Sequence, residues 1–593
     1  MGHRMALPSL LLIGAAGLGH GAETRSEPYF EASTWYDWGL YGAYPRQSYQ
    51  SFGGTPPKLN LVQRHSRCHD GLVFLEPRGV YVDMPGPVIV DNDGSLVWMQ
   101  TAWGEAMDVK VQQFNGSNYI TFWHGTDNGT FGDGGYIMLD ESYEVFKTIT
   151  PVGGVKGDLH EFRITQHGTA LIAMHQETQA PMSGNGLPTR WIYDSIFQEI
   201  DLHSGELLFE WHASDYFPID ESRAPCDGQG DDTSNAFDFF HINSIDKGAD
   251  GNYLVSSRYM CAVACISRED GRVLWQLGGE NNDFDDLSHG GATNFTWNRH
   301  ASWYENTTLT VLDNGSNGDI NTAGHSRGLM IELDLEGMTA ALVHSYVSPQ
   351  MLLAPSQGSV QVLPNNNVLV GWGHTPAYTE FSLDGEVLCD THLGPVRLAN
   401  LGWVNSYRTF KFNWVGRPNT VPDVAMRPEE KAVYVSWNGA TEVDTWVLQS
   451  GPSPDLDPFV EHKTVVKTTF ETRISVPSDA NEFVRVVALD ARRRVLGYSN
   501  VVSTRIRTAT EPLPAPPRAT KPAPATPLAL TFFGLAAGVA VVHLFRGMCR
   551  RGLCGLWRTA VPSYRYQPLP TSQKQWPPPT QKGLERNAAA FQV

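Results

Sequence analysis

One unit recurs six times along this chain: an apolar strand, a turn usually built on Asp-Gly or Ser-Gly, and a second strand with bulky residues. The copies are PGPVIVDNDGSLVW (85–98), YIMLDESYEVFKT (136–148), FQEIDLHSGELLFEW (197–211), VACISREDGRVLWQL (263–277), GLMIELDLEGMTAALV (328–343) and YTEFSLDGEVLCD (378–390). A repeat at a fixed period means one supersecondary unit stacked on its neighbours, because a single hairpin cannot bury its own apolar face. Between copies lie further hairpins, such as HEFRITQHGTALIAMH (160–175), HINSIDKGADGNYLVSSR (241–258) and SVQVLPNNNVLVGWG (359–373). Two hairpins per period make a four-stranded blade, so the pattern predicts an all-β six-bladed propeller over residues 61–415. The first blade is the least regular, with no clear register near 72–80. A shorter all-β pattern at 429–506 suits a small β-sandwich of the immunoglobulin or fibronectin-III type, with Val433, Val435 and Trp437 alternating with polar residues.

The ends address the chain to a membrane. Residues 1–22 read as a signal peptide, followed by a lead-in over 23–60. A Pro/Ala-rich stalk at 507–527 leads to LALTFFGLAAGVAVVHLF (528–545), free of Asp, Glu, Lys and Arg and long enough to span a hydrocarbon core. The arginines that follow, at 546, 550, 551 and 558, put the 546–593 tail in the cytosol by the positive-inside bias. The expectation is a single-pass type I protein of the plasma membrane or secretory pathway, with the β domains extracytoplasmic. Sequons at Asn115, Asn128, Asn294, Asn306 and Asn314 agree with a glycoprotein. A formal net charge of -19, with no basic stripe outside the tail, excludes nucleic acid as a partner. Five cysteines precede the span, and Cys68 with Cys389 is the expected disulfide, stapling the ends of the first domain. Protein partners are not readable.

In a propeller the first strand of each blade lines the central channel. Aligning the repeats on their turns puts His160, His241 and His300 at one place in three consecutive blades, with Asp108 and Gly358 at roughly that place in two others. Histidines at a shared height permit metal chelation or acid, base and nucleophile chemistry near neutral pH. No Asp or Glu stands among them as an obvious ligand except Glu161, which the strand alternation points away. The reading therefore assigns no metal and no cofactor.

The motifs HEFRITQHGTAL, DFDFFHINSIDKGADGNYLVSSR, GRVLWQLGG, RHASW, SRGLMIELDL and GSVQVLPNNNVLVGWG together resemble the arylsulfotransferase (ASST) family, most closely its eukaryotic, fungal-type branch. The resemblance implies a six-bladed propeller and sulfuryl transfer from an aryl sulfate to a phenolic acceptor through a sulfated histidine, without a nucleotide sulfate donor. It implies that His241 and His300 bind sulfuryl oxygens and handle the proton, and that Arg327 is the sulfate-binding arginine. His374, in the last blade, is the candidate nucleophile. Arg299 adds positive charge beside His300, and His160 and Asn243 lie in register as supporting partners. The rival expectation is a non-catalytic surface receptor or adhesion module, which the sandwich, stalk, span and tail would serve.

Overall fold

A computed structural model describes residues 27–182, 189–226, 228–455 and 458–505. The expected signal peptide, the Pro/Ala-rich stalk at 507–527, the 528–545 apolar run and the 546–593 tail lie outside the described residues. No helix among the described residues is long and apolar enough to cross a membrane.

The described chain is almost all β, and residues 59–412 form six principal sheets. Sheet 2 (Ala106–Phe114, Ser117–Asp127, Gly132–Leu139, Val145–Ile149), sheet 3 (Phe162–Ile164, Thr169–Pro181, Thr189–Asp201, Leu207–His212) and sheet 4 (Ile242–Lys247, Tyr253–Ser257, Ala262–Ile266, Val273–Gly278) are four-stranded antiparallel meanders in chain order. Sheet 5 has the same plan (Arg299–Trp303, Thr308–Asp313, Arg327–Asp334, Thr339–Tyr346), with Asp285–Asp286 added in parallel at its edge. Sheet 6 (Ser359–Val362, Val368–Gly371, Ala377–Phe381, Val387–His392) gains Leu59–Gln63 on its outer edge, and Tyr29–Glu31 lies parallel beyond that. Each repeat read from the sequence is the outer hairpin of one sheet.

Sheet 1 is assembled differently. Its second to fourth strands are Leu72–Leu75, Val88–Val90 and Leu96–Met99, but its first is Phe410–Phe412, from the far end of the segment. The irregularity near 72–80 thus has a cause: the missing strand is more than 300 residues away. First strands touch from sheet 1 to sheet 2 and from sheet 2 to sheet 3. Contacts then run from Thr169–Pro181 to Ile242–Lys247, from there to Arg299–Trp303, on to Ser359–Val362, and from Val368–Gly371 back to Phe410–Phe412. Cys68 and Cys389 are joined by a disulfide, with Cα atoms 6.3 Å apart. Cys261 and Cys265 are free and buried.

Side chains complete the inner edges, where a strand would otherwise leave backbone groups unpaired. Gln112 accepts from Ile164 N–H and donates to the Phe162 carbonyl; Asn243 accepts from His300 N–H and donates to the Asn298 carbonyl; Gln361 accepts from Lys411 N–H and donates to the Lys411 carbonyl. At these three junctions one amide thereby fixes the height of the next sheet. The second β region pairs Asp423–Arg427, Ala432–Ser436 and Thr472–Ser475 in one sheet and Val460–Val466, Thr445–Gly451, Phe483–Leu489 and Val495–Tyr498 in another. It packs on sheet 1 through Asn438, which bonds both backbone groups of Met99, and on the segment before Leu59 through Phe470, whose ring meets those of Tyr49 and Phe52.

Candidate active site: a buried histidine and arginine cluster

The aligned position has a common backbone signature. Asp108, His241 and His300 all have left-handed φ (62°, 55° and 52°), and Gly358 has φ 99°. The strand register shifts across Asp108 and across His300, and in sheet 4 it shifts just after His241, between Ile242 and Ser244. A β-bulge with a left-handed residue re-aims a side chain out of the strand alternation. That is how these residues come to face inward.

What they face differs from the sequence expectation. His160 and His241 meet edge to face, ring centroids 4.6 Å apart, and His175 lies 6.0 Å from the first and 6.3 Å from the second. His300 is not in this group: its Nδ1 accepts from Val360 N–H and its ring rests 5.4 Å from Phe410, beside a separate cavity of about 320 Å³ lined by Lys110, Arg163 and Trp303. The bulge that turns His241 to one side of the inner strands turns His300 toward the other. Arg299, the residue before it, enters the cluster instead.

His241 is held at both nitrogens. Nδ1 is 2.7 Å from Asp238 Oδ2, and Arg299 Nη2 donates to Nε2 at 3.0 Å. A guanidinium can only donate, so Nε2 is the acceptor, and Nδ1 carries the proton given to Asp238. Burial, with the nearby His160 and the Arg299 and Arg258 charges, holds the His241 imidazole well below its ordinary pKa. His160 Nδ1 meets Asp158 Oδ2 at 2.5 Å, and burial pushes the ring down to about 4 although Asp158 opposes the shift. Asp158 stays below the carboxylate range: burial works the other way, but His160 and His175 outweigh it. Burial lifts Asp238 to about 7. Arg299, lowered to about 10 by burial and by Arg258, leaves Nε and Nη1 without a hydrogen-bond partner. Tyr259 and Phe131 border His241 at 5.1 and 5.8 Å between ring centroids, and Tyr407 flanks His160 at 6.0 Å.

Beside this layer lies a buried ion network. Arg408 Nη1 binds Asp108 at 2.6 Å and Glu161 at 3.0 Å, and Lys110 Nζ bonds the same two carboxylates at 2.7 Å each. Arg408 Nη2 donates to the Asn243 carbonyl. Glu161 is thus turned into a charge cluster, where its charge acts on His300.

Two expected site residues stand apart. Arg327 is occupied by Asp313 (Nε to Oδ2, 2.8 Å) and donates to the Asn294 carbonyl. His374 lies half-buried near the Ala399 backbone and the Arg78 charge, and no ring contact joins it to His160, His175 or His241. The residues missed were Asp158, His175, Asp238, Arg258, Tyr259 and Tyr407. A signal for two of them was present, since an Asp precedes the histidine in both DLHEF and DFFHINS. The premise that no carboxylate joins the histidines is corrected: Asp158 and Asp238 do, from turns just before the strands. Among the sequons, Asn115, Asn128, Asn294 and Asn306 are exposed, whereas Asn314 is corrected as a glycan site. It is fully buried and its amide donates to the Ala354 and Gln357 carbonyls, leaving no room for a sugar.

Fold and site together define a repeated-sheet β protein whose inner strands carry a buried Asp–His–Arg relay. Residues 110–394, which hold the whole relay, match the family model described as Arylsulfotransferase (ASST). No curated protein sequence matches the chain. Solved structures similar to it include a protein of unknown function from Bacteroides caccae (15% identity, TM-score 0.35, covering 57% of this chain and 98% of that one). Others are a putative 6-phosphogluconolactonase from Bacteroides fragilis (10%, 0.33, 59% and 99%) and a protein from Lactobacillus plantarum (10%, 0.30, 69% and 100%). At these scores the likenesses carry no argument.

Proposed function

We propose that the protein is an arylsulfotransferase-type enzyme in which His241, rather than His374, carries the sulfuryl group. The observation behind this reading is the pair of bonds on His241: Asp238 fixes the Nδ1–H tautomer, and the Nε2 lone pair faces an arginine with two unpartnered nitrogen sites. Arg299 shifts its Nη2–H from Nε2 to a sulfuryl oxygen, the freed Nε2 lone pair attacks the sulfur of an aryl sulfate, the sulfur–aryl oxygen bond breaks, and phenoxide leaves with that electron pair. The imidazole, now bonded to SO₃⁻ at Nε2 and to hydrogen at Nδ1, bears positive charge that the Asp238 carboxylate stabilises, the orienting role of the carboxylate in a catalytic triad. Arg299 offers N–H donors to the sulfuryl oxygens as charge shifts onto them. A second phenol, entering as phenoxide after giving its proton to solvent, attacks the sulfur and restores the free imidazole, so no nucleotide donor is needed. Tyr259 and Phe131 provide aromatic surface for the phenol ring.

The six sheets suit the blades of a six-bladed propeller, a reading supported by the cyclic order of their contacts and by the closure of sheet 1 through Phe410–Phe412. The apolar run at 528–545 and its arginine flank support a single-pass type I anchor that holds this domain outside the cytosol. To test the activity, the protein is incubated with a chromogenic aryl sulfate and a phenol acceptor, without nucleotide donor, and its quenched peptides are mapped by mass spectrometry. Sulfate on the His241 peptide, with chromophore release lost in His241→Ala and kept in His374→Ala, is the expected result. Label on His374 alone would overturn the assignment, and inertness toward all aryl sulfates would overturn the activity.

A further inference from the structure

His175 poses a problem that sulfuryl transfer does not solve. Its side chain is 4% exposed, Phe131 covers it at 4.0 Å between ring centroids, and neither ring nitrogen has a hydrogen-bond partner. An imidazole stripped of water and left unpaired costs about 1–3 kcal/mol, so a native fold that keeps one has a use for its lone pair. Asp158 Oδ1 lies 3.6 Å from His175 Nδ1. That is beyond hydrogen-bond range. It is close to the roughly 3.3 Å that separates two ligands of one tetrahedral ion with bonds of about 2.0–2.1 Å.

The third partner is already in place. Asp158 binds His160 Nδ1 through its other oxygen, and one donor atom from each of Asp158, His160 and His175 lies within 4.8 Å of the other two. From these distances we propose that Asp158, His160 and His175 form a binding site for a divalent transition-metal ion, best matched to zinc. The trio is positioned from outside: Gly132 N–H donates to Asp158 Oδ1 at 2.7 Å, and the Tyr136 hydroxyl donates to the Asp158 and Ala173 carbonyls at 2.8 Å each. Second-layer bonds of this kind hold a ligating carboxylate in orientation. His241 is not among the converging donors: its Nδ1 is held by Asp238, and the atoms that lie within reach of one another belong to Asp158, His160 and His175.

Donor chemistry selects the ion. Two imidazoles and one carboxylate suit zinc and its first-row neighbours, whereas calcium and magnesium take oxygen sets and no thiolate is present for a soft monovalent ion. Binding replaces the His160–Asp158 hydrogen bond. His160 carries its proton at Nε2 and gives Nδ1 to the metal, Asp158 binds as carboxylate, and no proton is released overall. Three protein ligands leave one position open, on a layer that also contains His241. The site does not depend on the transferase reading.

The full-length protein, stripped with chelator, is titrated with Co²⁺, following the visible ligand-field band, and with Zn²⁺, following bound metal by equilibrium dialysis. One ion per chain is expected, with the intense band of a four-coordinate site. His175→Ala and Asp158→Asn should each weaken binding by more than the roughly 10–100-fold that second-layer partners carry. His212→Ala, at another histidine paired with carboxylates, should leave it unchanged. If His175→Ala misfolds by circular dichroism, His175→Gln takes its place. Absence of saturable binding by the wild type, a weak octahedral band, or full binding by folded His175 and Asp158 variants would each overturn the proposal.

Discussion

Arg408 is the residue whose loss should cost the fold most. It leaves the last connection before Phe410–Phe412, and its backbone N–H donates to Glu76 of sheet 1 while its guanidinium reaches Asp108 of sheet 2, Glu161 ahead of sheet 3 and the Asn243 carbonyl of sheet 4. One residue therefore ties four sheets together, three of them through its side chain. The ionic side chains are nearly dry: Arg408, Asp108 and Glu161 are at most 2% exposed and Lys110 10%. Two cations and two carboxylates balance. Arg408→Met removes one cation and leaves two buried carboxylates facing Lys110 alone. Breaking a buried pair by deleting one partner costs about 3–5 kcal/mol, because the remaining charge is uncompensated. At roughly 2 °C per kcal/mol for a large domain, the melting temperature should fall by about 6–10 °C. Charge balance as the origin makes a sharper claim. Arg408→Met with Asp108→Asn restores one cation against one carboxylate, so the double variant should be less destabilised than the sum of the two single ones, with a coupling of about 1–3 kcal/mol. Differential scanning fluorimetry and denaturant titration of the four proteins measure both quantities. A cost under about 1 kcal/mol for Arg408→Met, or strict additivity in the double variant, would refute the argument.

Other consequences are as direct. Arg299→Lys keeps a positive charge but loses the planar fork, and should lower kcat for aryl sulfate turnover by about 10²–10³-fold, as loss of a transition-state donor does, with the unfolding midpoint little changed. His392 is fully buried between Asp37 (2.7 Å) and Asp390 (3.6 Å), and although burial opposes it these carboxylates lift its pKa to about 9. Because the folded value lies above the unfolded one of about 6.5, its contribution, on the order of 3 kcal/mol, is fully present below pH 6.5 and lost as pH rises toward 9. Denaturant unfolding across that window should show the decline in wild type and a flatter profile in His392→Gln; equal slopes would exclude the pair. Expressed in a glycosylating host, the protein should lose no mass on Asn314→Gln, whereas a gel shift on that substitution would contradict its burial.

Residue patterns alone determined the repeat, and with it the all-β architecture, because alternation and Asp-Gly turns are local properties that each hairpin must satisfy before it packs. They also placed His160, His241 and His300 at one register with Asp108 and Gly358; all but His160 share the left-handed backbone state, since equivalent positions in a repeat tend to share a conformation. Family motifs pointed to the segment that carries the cluster. Three things lay beyond local pattern. The first strand of sheet 1 comes from 410–412, a pairing across the chain that no period encodes. The direction in which each bulged side chain turns depends on the neighbouring sheet, so His300 faces Phe410 while His175, from a second strand with no repeat partner, stands beside Asp158. Which charges balance was decided only when Arg408 met Asp108 and Glu161: burial makes an unpaired charge costly, and burial exists only once the sheets have packed.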